Sequence, residues 1–228
     1  MNKLKYLAIA LIAVAGLGLQ QAQADVFNFQ LSQGNTALTT AGFSGPYANV
    51  SVTTAAASNV AQITFTSLTQ TVGGNSYIYL FGDGSSVAVN ASAASTITGL
   101  ASVGLPGFNA PLLSDGGAGN VDGFGTMNHT VNNFDGFSHA TNSITFSLTK
   151  TGGGVWGAAS TVLTPNNQGA IAAAHIFVTL NPPNQANGAA VTGFAAPGGS
   201  IVPDGGTTVM LLGMALGALG MVRRYLTS

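Results

Sequence analysis

The chain contains no cysteine. That removes disulfide staples, thiolate metal sites and thiol nucleophiles together. It contains no glutamate either, and its 228 residues include only five basic and six acidic side chains. Charged residues make up 5% of the sequence, far below the roughly 25% of ordinary globular domains. Its surface must therefore be built from Ser, Thr, Asn, Gln and Gly. Lys3, Lys5, Arg223 and Arg224 lie near the two ends, leaving Lys150 alone in the body against Asp25, Asp83, Asp115, Asp122 and Asp135. One lysine cannot neutralise a phosphate backbone, so nucleic acid is excluded as a partner. Anionic polymers and anionic membrane surfaces are disfavoured on the same ground.

Amphipathic helices are lacking as well; Ala170–Ala174 supports a turn at most. The body instead alternates. Val26–Leu31 puts Phe27, Phe29 and Leu31 on one face, and Val50–Thr53, Gln62–Thr66 and Ser143–Thr149 repeat the pattern with Thr and Ser on the polar side. Tyr77–Phe81 and Val87–Val89 flank Gly82-Asp83-Gly84, which reads as a tight turn. Ala174–Leu180 and Ala190–Phe194 complete the set of strands. Val121-Asp122-Gly123-Phe124-Gly125 is echoed by Phe134-Asp135-Gly136-Phe137-Ser138, as expected of two neighbouring turns around a strand at Met127–Val131. The prediction is an all-β fold, a single jelly-roll-like β-sandwich domain flanked by an N-terminal signal helix and a C-terminal transmembrane sorting helix. Without cysteine, a body of this length can still bury a core large enough to fold.

The two ends carry the clearest signals. Lys3 and Lys5 precede an apolar core from Tyr6 to Leu19, and Ala22-Gln23-Ala24 sets small residues on either side of one position. That is the layout of a secretory signal peptide cut by signal peptidase between Ala24 and Asp25. At the other end, Val202-Pro203-Asp204-Gly205-Gly206 opens a stretch that is free of charge from Gly205 to Val222 and closes on Arg223-Arg224. As a helix this run would cover about 27 Å, close to the roughly 30 Å of a bilayer core. The two arginines would stop transfer and hold the last residues on the cytoplasmic side.

Motif, apolar run, basic stop and position together resemble the VPDSG-CTERM sorting signal, a variant of the PEP-CTERM class. That class is handled in Gram-negative bacteria by a membrane protease called exosortase. Gly206 and Thr207 stand where small or hydroxyl residues vary. The resemblance implies removal of the tail near Pro203–Gly205 after export. It implies exosortase and signal peptidase as processing partners and the inner membrane as a transient station. Three parts follow: a signal peptide (1–24), an exported β-sandwich domain (25–200) and the sorting signal (201–228). A second likeness covers Phe124 to Val178. Phe134-Asp135-Gly136-Phe137-Ser138, Val155-Trp156, Val162-Leu163-Thr164-Pro165-Asn166 and Ala173-Ala174-His175-Ile176-Phe177-Val178 resemble a segment recurring among exosortase-sorted exported proteins, relatives largely of unknown function.

Chemistry in the body is thinly signalled. Asp115, Asn120, Asp122 and Asp135 fall in a glycine-rich stretch and are hard oxygen ligands of the kind calcium takes, which makes calcium the one candidate cofactor. The spacing is not that of an EF-hand. Asp83, Asp115, Asp122, Asp135 and Asp204 each precede glycine, so turn chemistry accounts for the same residues. His129 and His139 lie near Asp122 and Asp135 in sequence, where a His–Asp pair could serve as a general base. Asp115 with Asp135 is the corresponding choice for a pair of glycosidase carboxylates. No Gly-x-Ser-x-Gly or His-Glu-x-x-His motif accompanies them. No catalytic residue is assigned and no enzyme is expected. His175 alternates with Ile176 and is expected at a core edge. Trp156, the single tryptophan, is expected to anchor the sandwich rather than stack on a sugar. The expected function is that of an exported cell-surface or extracellular-matrix structural protein, with biofilm exopolysaccharide as a candidate partner. A calcium-assisted carbohydrate-binding or adhesion module is the alternative.

Overall fold

The computed structural model describes residues 24–198. Ala22, the apolar core of the signal peptide and the sorting signal from Val202 to Arg224 lie outside the described residues. The expectations of a signal helix and a sorting helix fall there too. Among the described residues no helix is long and apolar enough to cross a membrane.

Thirteen strands run β1 (Asp25–Leu31), β2 (Gln33–Gly34), β3 (Ala48–Thr54), β4 (Val60–Ser67), β5 (Thr69–Val72), β6 (Asn75–Phe81), β7 (Asp83–Val89), β8 (Ser95–Ser102), β9 (Leu113–Val121), β10 (Gly125–Asn133), β11 (Ser143–Lys150), β12 (Ala172–Leu180) and β13 (Val191–Ala196). A five-residue helix, α1 (Thr36–Thr40), lies between β2 and β3 and was not foreseen from its Thr-rich sequence. The strands form a five-stranded sheet ordered β1-β3-β4-β11-β8 and an eight-stranded sheet whose main path is β2-β13-β12-β7-β10-β9. In the larger sheet β6 pairs with β12 and β5. Every pairing is antiparallel, and neither sheet closes into a barrel.

Alternation decides which face of the smaller sheet is buried. Phe29 pairs with Val50, Val50 with Phe65, and Phe65 with Ile144, so one row of apolar side chains crosses four strands. They join Tyr79, Phe81, Val87, Ile176 and Val178 of the larger sheet in one core. Phe65 meets Phe81 edge-on at 6.3 Å, and Tyr47 meets Tyr79 at 4.9 Å. Such ring pairs add about 0.5–1.5 kcal/mol beyond the area they bury.

The central strands of the larger sheet are covered on both faces. Ile78, Leu80 and Phe177 turn away from the shared core and pack under Leu105, Phe108, Phe137 and Ala189. Ala88, Ala173 and Met127 do the same beneath Phe124 and Ala170. This explains why β12 is buried along almost its whole length, with only His175 and Leu180 reaching further out. A strand buried on both faces loses the polar alternation that marks a half-exposed one.

Gly82-Asp83-Gly84 does not join a hairpin, contrary to the sequence expectation. β6 and β7 lie end to end along β12: Phe81 pairs with Ile176 and Val87 with Ala174. The residues between them bulge out opposite His175, with Asp83 and Ser85 at positive φ of 63° and 52°. Gly82 is required by the close approach of Phe177, whose ring carbon would sit 2.7 Å from an added Cβ. The chain enters the fold at Asp25, whose carboxylate accepts the Ala159 amide proton at 2.6 Å. It leaves beside the other end of β1, where the Gly198 amide donates to Ser32 Oγ at 3.0 Å.

Candidate functional site

The outward positions of β1, β3 and β4 are where the polar half of the alternating sequence is laid out. Asn28 stands opposite Ser51, and Ser51 opposite Thr64. In the next row Gln30 stands opposite Asn49, and Asn49 opposite Thr66. A shallow open depression of about 390 Å³ lies among these six side chains, floored by Phe29 and Val50, whose own side chains are buried. That volume is within the roughly 300–1,000 Å³ usual for small-ligand sites. None of its lining residues is charged.

Part of the wall is fixed by cross-strand bonds. Gln30 Nε2 donates to Asn49 Oδ1 at 2.9 Å, and the hydroxyls of Thr64 and Thr145 bond at 3.0 Å. Asn28, Ser51 and Thr66 make no side-chain hydrogen bond among the described residues. The chemistry on offer is neutral hydrogen bonding with donors and acceptors intermixed. Sequence reasoning missed this site, although its signal was the Thr, Ser, Asn and Gln run on the polar side of each alternating strand.

The proposed calcium ligands are not brought together. Asn133 pairs with Leu113 and Gly125 with Val121, so Asp115 and Asp135 belong to one end of the β9–β10 hairpin and Asn120 and Asp122 to the other. Seven residues of strand separate Asp115 from Asp122, roughly 20 Å of rise. Asp115 Oδ1 accepts from the Gly117 amide at 2.9 Å, and Asp122 Oδ2 from Asn35 Nδ2 at 3.0 Å. Asp135 adopts a positive φ of 71° before Gly136. The Asp115 bond is a local turn contact, whereas the Asp122 bond reaches across to the residue before α1. Among the described residues no group of three or more His, Cys, Asp or Glu side chains is placed to hold a metal ion.

The histidines are each engaged. His129 Nε2 bonds to Ser95 Oγ at 2.9 Å, tying the edge of one sheet to the other. Burial lowers its proton affinity, and the charge of Asp115 offsets part of that effect. Its neighbours are thus Ser95 and Asp115, not the Asp122 suggested by proximity in sequence. His139 sets Nδ1 2.6 Å from the Ala110 carbonyl oxygen. His175 bonds Thr192 Oγ1 through Nε2 at 2.7 Å and stacks on Phe194 at 4.3 Å. Its Nδ1 is buried without a partner, as is Ser86 Oγ. Burial lowers its proton affinity first, against the opposing pull of Asp83 and of the nearby Gly84 backbone. Trp156 is buried and donates from Nε1 to the Leu148 carbonyl at 3.1 Å, with Lys150 Nζ 5.1 Å over its ring.

Residues 202–226 match the VPDSG-CTERM motif, a C-terminal tag of the kind sorted by exosortase. Such a tag implies export, membrane-anchored sorting and then surface localisation. The match covers the tail and none of the folded body. No curated protein and no solved structure matches the chain.

Proposed function

We propose that the chain is a structural component of the bacterial cell surface or extracellular matrix, associated with biofilm exopolysaccharide. The tail match at residues 202–226 supports its export and surface sorting, and the matrix role is our extension of that. The body agrees with it: a nearly ion-free surface is insensitive to salt and tolerant of close association. The working division is a signal peptide over 1–24, a β-sandwich of jelly-roll character over 25–200 and a removable sorting signal over 201–228. We take the uncharged run from Gly205 to Val222 as its membrane-crossing part and Arg223-Arg224 as the stop.

The decisive measurement is the intact mass of the protein recovered from producing cells and from their medium. The expected species begins at Asp25 and ends near Pro203–Gly205, with any glycan or lipid seen as added mass. A chain recovered from the cytosol with Met1 and Ser228 in place would overturn the proposal. A second reading, an adhesion module that binds carbohydrate without calcium, is favoured by the uncharged depression on the smaller sheet. No catalytic role is proposed. The Ser95–His129 pair is the place to look for one, and turnover in a broad esterase and glycosidase panel that vanishes with Ser95→Ala would establish it.

A further inference from the structure

We propose that the depression across β1, β3 and β4 binds a neutral polysaccharide chain. The proposal rests on the protein reaching the cell exterior, as above, and on no particular anchoring chemistry. Four observations select this occupant.

The first is unspent hydrogen-bonding capacity. The bond between Gln30 and Asn49 uses one donor and one acceptor, leaving Gln30 Oε1 free to accept and Asn49 Nδ2 free to donate. Asn28 contributes a whole amide, and Ser51 and Thr66 a hydroxyl each. Donors and acceptors therefore alternate over a grid of about 4.8 Å between strands and about 6.8 Å along them. Sugar rings present adjacent hydroxyls that both donate and accept, and they match such a grid in either polarity.

The second is charge. The depression has no ionic side chain, and the one cation of the body, Lys150, is held over Trp156 and bonded to the Val155 carbonyl. A uronate or phosphate polymer would lose its hydration and gain no counter-charge.

The third is the lack of an aliphatic or aromatic side chain opening into the depression. Phe29 and Val50 direct their side chains into the core, so a peptide or lipid would find no pocket for an apolar anchor. The fourth is shape. The floor is open sheet spanning three strands, and no loop among the described residues lines it, so a long chain can pass through while a few residues engage. The cross-strand bonds of Gln30–Asn49 and Thr64–Thr145 hold the wall in place before binding, which reduces the ordering cost. With no ring to stack on, each contact is weak, and many copies on one polymer supply the avidity.

The test is affinity electrophoresis of the full chain in a polyoxyethylene detergent, which carries no sugar. Native gels are cast with dextran, with galactomannan or with alginate. The expected result is retardation in at least one neutral gel and none in alginate. The triple variant Asn28→Ala, Ser51→Ala, Thr66→Ala should lose at least tenfold in affinity while its Tm stays within a few degrees. Thr98→Ala with Thr149→Ala, on the same face but outside the depression, should be retarded like the native chain. If the triple variant melts early, Asn28→Ala and Thr66→Ala alone, both at exposed positions, carry the comparison. Unretarded migration in both neutral gels, equal retardation in alginate, or full retardation of the variants would each overturn the proposal. So would self-association that the triple variant abolishes, which would make a second copy the occupant. Failure here with the two terminal cleavages intact leaves surface delivery standing; failure of the cleavages removes the premise of both.

Discussion

In the five-stranded sheet the outward positions of β4 are Gln62, Thr64 and Thr66, whereas those of β6 and β12 in the larger sheet are Ile78, Leu80 and Phe177. Both sheets send aromatic and branched side chains into the same core. They differ in what lies on the far side: solvent for one, a roof of loops bearing Leu105, Phe108, Phe124 and Phe137 for the other. A sheet with one wet face can devote that face to recognition. A sheet buried twice is committed to stability, and its polar atoms are the ones that end up stranded, as at Ser86 and His175.

Charge introduced on the two outer faces should separate them most sharply. Ala173→Asp places a carboxylate in a fully buried position and is expected to abolish cooperative folding, read as loss of the thermal transition. Ser147→Asp, on the wet face of β11, should change stability by no more than about 0.5 kcal/mol in the same assay. Truncation gives a graded version. Phe177→Ala should cost about 3–5 kcal/mol by urea denaturation, since the ring fills the space between Leu80 and Phe137. Thr145→Ala, by contrast, removes one half-buried hydroxyl bond and should cost about 1 kcal/mol or less.

An intermediate effect, below that of Phe177→Ala and above that of Thr145→Ala, is expected at Gly82→Ala, where the added methyl meets the Phe177 ring and overpacking costs about 1–3 kcal/mol. The last contrast is in pH. His175 and His129 have proton affinities lowered by burial, so the unfolded chain takes up protons that the folded one refuses. Their contribution is fully present above the ordinary histidine value of 6.5 and is lost as pH falls below it. Tm should drop by a few degrees between pH 7 and pH 5, and His175→Phe should flatten that slope.

Much of this architecture was legible because half-buried strands announce themselves. Phe27, Phe29 and Leu31 face inward as their spacing required, and Met127–Val131 lies within β10 between the two Asp-Gly turns. β8 and β9 were not legible. Ser95–Ser102 and the glycine-rich Leu113–Val121 carry few large apolar side chains, and their strand character comes from pairing with β11 and β10. Tertiary context overrode weak local preference there. The misplaced hairpin at Gly82 has a similar cause: glycines adjoining aspartate signal a turn, and only the partner strand reveals a bulge. The four calcium candidates lie at both ends of the β9–β10 hairpin because closeness in sequence along an extended strand is distance in space. The depression on the smaller sheet escaped notice because no single residue in it is unusual. It exists only once three strands are set in register.

The route of the chain has one more consequence. Asp25 and Gly198 sit at opposite ends of β1, about 23 Å apart along the strand. A domain tethered by its tail would thus carry Asp25 at the far end of β1, with its hydroxyl- and amide-bearing flank spanning the distance between that end and the tether.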